Sequence, residues 1–139
     1  MTDLPLSVAA LQQKLANSPF IEFLQLEVVS ADPAREEVVM RCPMRPEFER
    51  GRGTGQWHGG PLAAIIDTVG DFALVMAIGQ PLPTINFRVD YLRPAINTDL
   101  IATARVRRQG RSVGTVDVDV ANAQGTLLAI GRATYSTSV

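Results

Sequence analysis

The stretch GTGQWHGGPLAAIIDTVGDFALVMAI, residues Gly53 to Ile78, decides the fold. It opens as a glycine-rich loop and turns into a long apolar run. From Pro61 to Ile78 apolar residues fall on every face of a helix, and a helix apolar all round is buried on all sides. One side can rest on a sheet. The other needs a cover, and a second copy of the same helix across a two-fold axis is the simplest one. Gly70, Ala63, Ala64 and Ala73 suit close approach of such a copy and equally suit tight packing on the sheet.

Outward from this helix, at about residues 60–78, the chain reads as strands. Before it, FLQLEVV (Phe23 to Val29) and EEVVMRCPM (Glu36 to Met44) alternate and are joined by SADPAR, which predicts a hairpin. After it, GQPLP breaks the helix and four strand-like runs follow: Thr84 to Arg93, Leu100 to Arg108, Ser112 to Ala121 and Thr126 to Ser136. In the third, Val116, Val118 and Val120 alternate with Thr115, Asp117 and Asp119, the pattern of an antiparallel sheet with one covered face. Within residues 1–19, Asp3 and Pro5 predict the start of a short helix, and Asn17, Ser18 and Pro19 its end. The class is α+β: one long helix laid on an antiparallel sheet.

The 139 residues suit one domain, 1–139, with a real core. A net charge of −1 makes no electrostatic case for nucleic acid or anionic membrane. The N-terminus lacks the basic region of a signal peptide, and the uninterrupted apolar run Phe72 to Ile78 is too short to span a membrane. Cys42 is the one cysteine, so no intrachain disulfide forms. A soluble protein of the cytoplasm is expected.

Two carboxylates interrupt the apolar helix. Asp67 has no Lys or Arg within four residues on either side, so no intrahelical ion pair forms. Burial of such a group raises its pKa and costs stability unless other groups bond to it, which chains tolerate where chemistry requires it. The alternative is a bond to backbone or a place at a wet helix edge. Asp71, one turn on, reads as a solvated or hydrogen-bonded partner. The loop RGRGTGQWHGG carries five glycines between Gly51 and Gly60 and leads into a helix N-terminus, where N–H groups point outward. Phosphate is the weaker reading, since Gln56 stands where a third glycine of G-x-G-x-x-G belongs. An oxyanion hole from the N–H of Gly59 or Gly60 fits better. A loop that needs glycine for turns alone is the plain alternative. His58, the one histidine, is read as a hydrogen-bonding positioner rather than a base. No His or Cys cluster makes a metal site, no cofactor is called for, and Cys42 belongs to a strand core. Met40, Met44, Phe48 and Trp57 suit either a pocket or the core.

Taken together, WHGGPLAAIIDTVG (Trp57 to Gly70) and TINFRVDYLRPA (Thr84 to Ala95) resemble the hotdog-fold acyl-CoA thioesterases of the phenylacetate-degradation type. The resemblance runs from about Phe20 to the end. It implies an α+β hotdog fold, an antiparallel sheet wrapped around one long central helix; a homodimer with two active sites at the interface, often paired into a tetramer; and an acyl-CoA substrate, aromatic or medium-chain. It assigns Gly59 the backbone N–H that meets the thioester carbonyl, Asp67 the role of general base or nucleophile, His58 a positioning role, and Thr84 the hold on the attacking water. Some members carry asparagine six residues before the histidine; here that residue is Arg52, which leaves the acyl group open.

Geometry supports the dimer. Gly59 and Asp67 are eight residues apart, about 12 Å along a helix. An aspartate cannot span that distance to a carbonyl held about 3 Å from the donor. Two antiparallel helices about a two-fold axis bring the glycine of one chain to the acid of the other. Gly60 is a further substrate contact, and Arg108 and Arg111, beside Arg107, are candidates for the CoA phosphates. Two other readings compete: a hydratase or dehydratase on the same fold, and a non-catalytic acyl-CoA binder.

Overall fold

The computed structural model describes residues 3–138. Helix α1 covers Val8–Leu15, α2 Pro19–Leu24, and a hairpin of β1 (Glu27–Asp32) and β2 (Glu37–Cys42) follows. After a 3-10 turn at Pro46–Phe48 come α3 (Gly59–Ile78), β3 (Thr84–Tyr91), β4 (Leu100–Gln109), β5 (Val113–Asn122) and β6 (Leu127–Ser136). The six strands form one sheet in the order β1-β2-β4-β5-β6-β3, antiparallel throughout. Helix α3 lies across the inner face.

The alternation of the late strands is the cause of that layering. Val116, Val118 and Val120 are buried under α3 together with Leu100, Ala102 and Ala104, and Asp117 and Asp119 face away. On the outer face Asp117 pairs with Arg132, its neighbour in register, at 2.6 Å. Helix and sheet meet closely where side chains are absent. A methyl group at Gly131 would stand 2.6 Å from Ile66, and one at Gly70 would collide with the Tyr135 hydroxyl. Gly70 and Ala73 therefore serve the helix–sheet contact, whereas Ala63 and Ala64 remain half-buried on the other side. Eleven of the 20 residues of α3 are buried. Its length and apolarity would also suit a membrane span, but it is the core helix of this domain.

The N-terminal segment differs from expectation. Ser7, not Asp3, caps α1, its hydroxyl accepting from the Ala10 N–H at 3.1 Å. Ser18 and Pro19 end one helix and start the next: Ser18 Oγ accepts from Ile21 N–H, and Pro19 occupies the first turn. Phe23 and Leu24 are thus helical, and Gln25, at φ 55°, turns the chain into β1.

Met40, Cys42, Phe48 and Trp57 are core residues, and Met44 is half-buried against them. The Cys42 thiol donates to the Leu24 carbonyl, and burial pushes its pKa up to about 12, so it stays an unreactive thiol.

Candidate active site

The glycine-rich loop folds around a carboxylate of its own. Glu49 accepts from the N–H of Gly55 at 2.6 Å and from that of Gly53 at 3.3 Å, and both glycines have positive φ. The amide hydrogens that would cradle a phosphate are spent on Glu49. These two glycines serve the turn.

The end of the loop is fixed before α3 begins. Trp57 donates through its backbone N–H to Ala95 and through its indole N–H to Thr98, at 2.9 and 2.8 Å, and its ring stacks on Phe48. The His58 N–H donates to the Phe48 carbonyl at 2.7 Å. His58 is also the N-cap of α3: its Nδ1 accepts from the Gly60 N–H at 3.0 Å. An accepting Nδ1 carries no proton, so the neutral ring holds its proton on Nε2. Pro61 has no N–H. Among the described residues the N–H of Gly59 has no acceptor, which leaves it the one free donor of Gly59–Pro61 at the positive end of a 20-residue helix.

A cavity of about 400 Å³ opens beside Gly59, walled by Trp57, Leu62, Tyr91 and Leu92, with Arg50 and Arg93 at its edge. Tyr91 reaches from the end of β3 to donate to the Gly59 carbonyl at 2.7 Å. The sequence puts Tyr91 on a strand and Arg93 at the end of the same run, but only the pairing of β3 with β6 and its lie along α3 bring them beside Gly59.

Asp67 is not in this cavity. It sits two turns further along α3, half-exposed, on the same stripe of the helix as Gly60, Ala63 and Ala64. Thr84, the first residue of β3, donates its hydroxyl to Asp67 Oδ1 at 2.8 Å. The buried phenol of Tyr135 donates to the Asp67 backbone carbonyl at 2.6 Å, and burial raises its pKa so that it remains a donor. Asp71 is an enclosed acid rather than a solvated one, and of its expected alternatives the hydrogen-bonded one holds in part, through the Leu82 backbone. Its Oδ1 is enclosed with no hydrogen bond. Burial pushes its carboxyl up to about 7; the Leu82 backbone pulls it down, and the charge of Asp67 adds to the rise.

One chain therefore brings together Asp67 and Thr84 at one point, and His58, Gly59 and Gly60 at another. Eight residues of helix, about 12 Å, separate the acid from the free donor. Arg108 and Arg111 stand exposed at the β4–β5 turn and line neither place, whereas Arg107 is drawn to Asp117 at 3.6 Å.

The sequence profile of the thioesterase superfamily matches residues 54–129, from the glycine loop to β6. The chain belongs to the thioesterase superfamily. It has the hotdog fold and is a thioester hydrolase. It is 33% identical over 113 residues to human acyl-coenzyme A thioesterase 13, covering 79% of this chain and 78% of that one. It is 29% identical over 117 residues to the Escherichia coli acyl-coenzyme A thioesterase PaaI, covering 84% and 80%. The crystal structure of zebrafish thioesterase superfamily member 2 superposes with a TM-score of 0.83 at 30% identity, covering 96% of this chain and 99% of that one.

Proposed function

We propose that the protein, as a single hotdog domain, hydrolyses acyl-CoA at two sites built across the two-fold axis of a homodimer, with Asp67 of one protomer facing Gly59 of its partner. The observation that carries this reading is the separation just described. A free amide hydrogen and a carboxylate lie on one helix, about 12 Å apart, and each lacks its complement within the chain. An antiparallel second copy of α3 supplies both at once. The stripe between them, Gly60, Ala63 and Ala64, is small enough for close helix approach.

In this site the thioester carbonyl points at the Gly59 N–H. Asp67 takes a proton from a water as that water attacks the carbonyl carbon. The charge that grows on oxygen is met by the N–H and the helix dipole. The tetrahedral species then expels CoA thiolate, leaving the acid. The other route has Asp67 Oδ2 attack directly, expel thiolate and form an anhydride that water opens. In both, Thr84 fixes Oδ1, and in the first its oxygen can also accept from the water. His58 holds the Gly60 N–H, so Gly60 shapes the loop while Gly59 donates. Arg108 and Arg111, exposed and without an ion pair among the described residues, are the proposed contacts of the CoA phosphates, and two such dimers pair into a tetramer. CoA esters and a single buried thiol suit a cytoplasmic site of action.

The test is thiol release from a panel of short, medium, long and aromatic acyl-CoAs, with wild type and Asp67→Ala. Turnover of at least one member by wild type, reduced by a factor of about 10³ or more in the variant with the dimer intact, is the expected result. Undiminished turnover in Asp67→Ala contradicts the assignment. In Arg108→Glu/Arg111→Glu, KM should rise well beyond any fall in kcat; an unchanged KM removes these two residues from the CoA site.

A further inference from the structure

Glycine at an oxyanion donor position creates a mechanical problem. It has no Cβ, so both of its dihedrals are soft, and a donor useful in a transition state must not wander. Gly59 N–H precedes the peptide that joins Gly59 to Gly60, and the two groups are linked through the φ and ψ of Gly59 alone. That following peptide is gripped at both of its polar atoms. Its N–H donates to His58 Nδ1 at 3.0 Å, and its carbonyl accepts from the Tyr91 hydroxyl at 2.7 Å. A third contact closes the remaining side: a Cβ at Gly59 would stand 3.2 Å from both Cζ and Oη of the Tyr91 ring. The glycine is thus packed against the ring whose hydroxyl holds its carbonyl.

Tyr91 is itself held. It pairs with Ala129 at the end of β3, and the next two residues, Leu92 and Arg93, both donate their N–H to the Leu128 carbonyl, at 2.8 and 3.1 Å. The other end of the same strand carries Thr84, bonded to Asp67. One strand therefore ties down the free amide with its last residue and the carboxylate with its first. Stability does not explain the tyrosine bond: the ring is 54% exposed, and the Gly59 carbonyl lies in the first turn of a helix that continues without it.

We infer that Tyr91 is a positioning residue for thioester hydrolysis, clamping the Gly59–Gly60 peptide so that the Gly59 N–H is aimed before substrate arrives. This inference rests on Gly59 as the oxyanion donor. Removing the hydroxyl leaves the ring as a wall of the cavity and leaves the Gly59 carbonyl with its intrahelical bond alone, so one of the peptide's side-chain grips is lost. The loss then falls on the transition state, where the donor must be aligned, and little on the bound substrate.

The test is Tyr91→Phe, assayed by steady-state thiol release from the acyl-CoA of the panel that wild type turns over fastest, with Asp67→Ala in parallel. The clamp predicts kcat lower by about tenfold, KM within about twofold of wild type, and an unchanged thermal midpoint. The His58→Ala change should be non-additive with it, since both hold one peptide. A wild-type kcat in Tyr91→Phe, or a raised KM with kcat untouched, overturns the clamp, the second result making the tyrosine only a wall of the cleft. If instead Asp67→Ala retains turnover, it is the hydrolytic site itself that fails, whatever Tyr91→Phe does.

Discussion

The two edges of the sheet are built differently. Edge strand β1 is short, broken by a register shift between Val28 and Ser30, and carries Glu27, Ser30 and Asp32. Helix α1 closes it from the side: the Gln12 side chain donates to the Leu26 carbonyl at 3.0 Å and accepts from the Val28 N–H at 2.7 Å. Such features stop an edge from pairing with another chain. Edge strand β3 has eight residues and leaves Ile85, Phe87 and Tyr91 exposed. Its alternation of Ile85, Phe87, Val89 and Tyr91 against polar residues reads in the sequence as a covered face, yet within one chain only Val89 is tucked against the core. The contrast leaves β3 as the edge open to the second copy that the proposed dimer requires. It is also the strand whose ends hold Asp67 and Gly59.

Charge placed on the two edges breaks the comparison most sharply. Phe87→Lys should dissociate the dimer and abolish thiol release, whereas Val29→Lys on β1, at a residue more exposed than Phe87, should change neither. Light scattering with the activity assay decides it, and a dimeric, active Phe87→Lys would remove the distinction between the edges.

Gly59→Pro probes the donor next, with a smaller effect. Gly59 is the first residue of α3 and its N–H is unused by the fold, so proline there removes the donor and suits the helix start. His58 already has the extended backbone that precedes proline, at φ −69° and ψ 147°. Turnover should fall by about 10²–10³ with the helix intact by circular dichroism. The tip of the Tyr91 side chain has to move by a few tenths of an ångström, which its exposure allows.

The smallest effect concerns Asp71, the enclosed acid beside this edge. Its carboxyl stands at about 7 in the folded chain against 3.8 as the ordinary value, so the fold favours the protonated form. Below about pH 4 the group is neutral folded and unfolded and has no pH-dependent cost. As pH rises from 4 to 7 the unfolded chain loses the proton first, and stability declines until the cost is complete above pH 7. Asp71→Asn should therefore be more stable than wild type at pH 8, by on the order of 1–3 kcal/mol, with the gain gone at pH 4. Urea unfolding at the two pH values measures this, and a gain independent of pH would contradict it.

The parts of this molecule legible from sequence are those whose signals are local. Helix α3 begins one residue before its expected start, because His58 caps it, and it ends where expected, at Gly79 with φ 92°. Strands β4 to β6 follow from their alternation. In Phe23 to Val28 the alternation of exposed and buried residues is real, but the backbone is a short helix followed by a left-handed Gln25, so period two marks burial there without marking a strand. The candidate residues can be named from the sequence, but their wiring cannot. Glu49 inside the glycine loop, Tyr91 on Gly59 and Thr84 on Asp67 all depend on how distant segments align, which no spacing along the chain encodes. The larger burial of Asp71 than of Asp67 follows from the rotation of α3 on the sheet, which a helix apolar on every face leaves open.

Mixed dimers test the central claim most directly. Asp67→Ala and Gly59→Pro protomers, each inactive alone, are unfolded together, refolded and assayed for thiol release. Catalysis across the two-fold axis predicts recovery to about a quarter of wild-type activity, since half the dimers are mixed and each of those holds one intact acid–donor pair. If the mixture stays as inactive as its parents while mass spectrometry shows the mixed dimers formed, the acid and the donor do not act across subunits and the account is wrong.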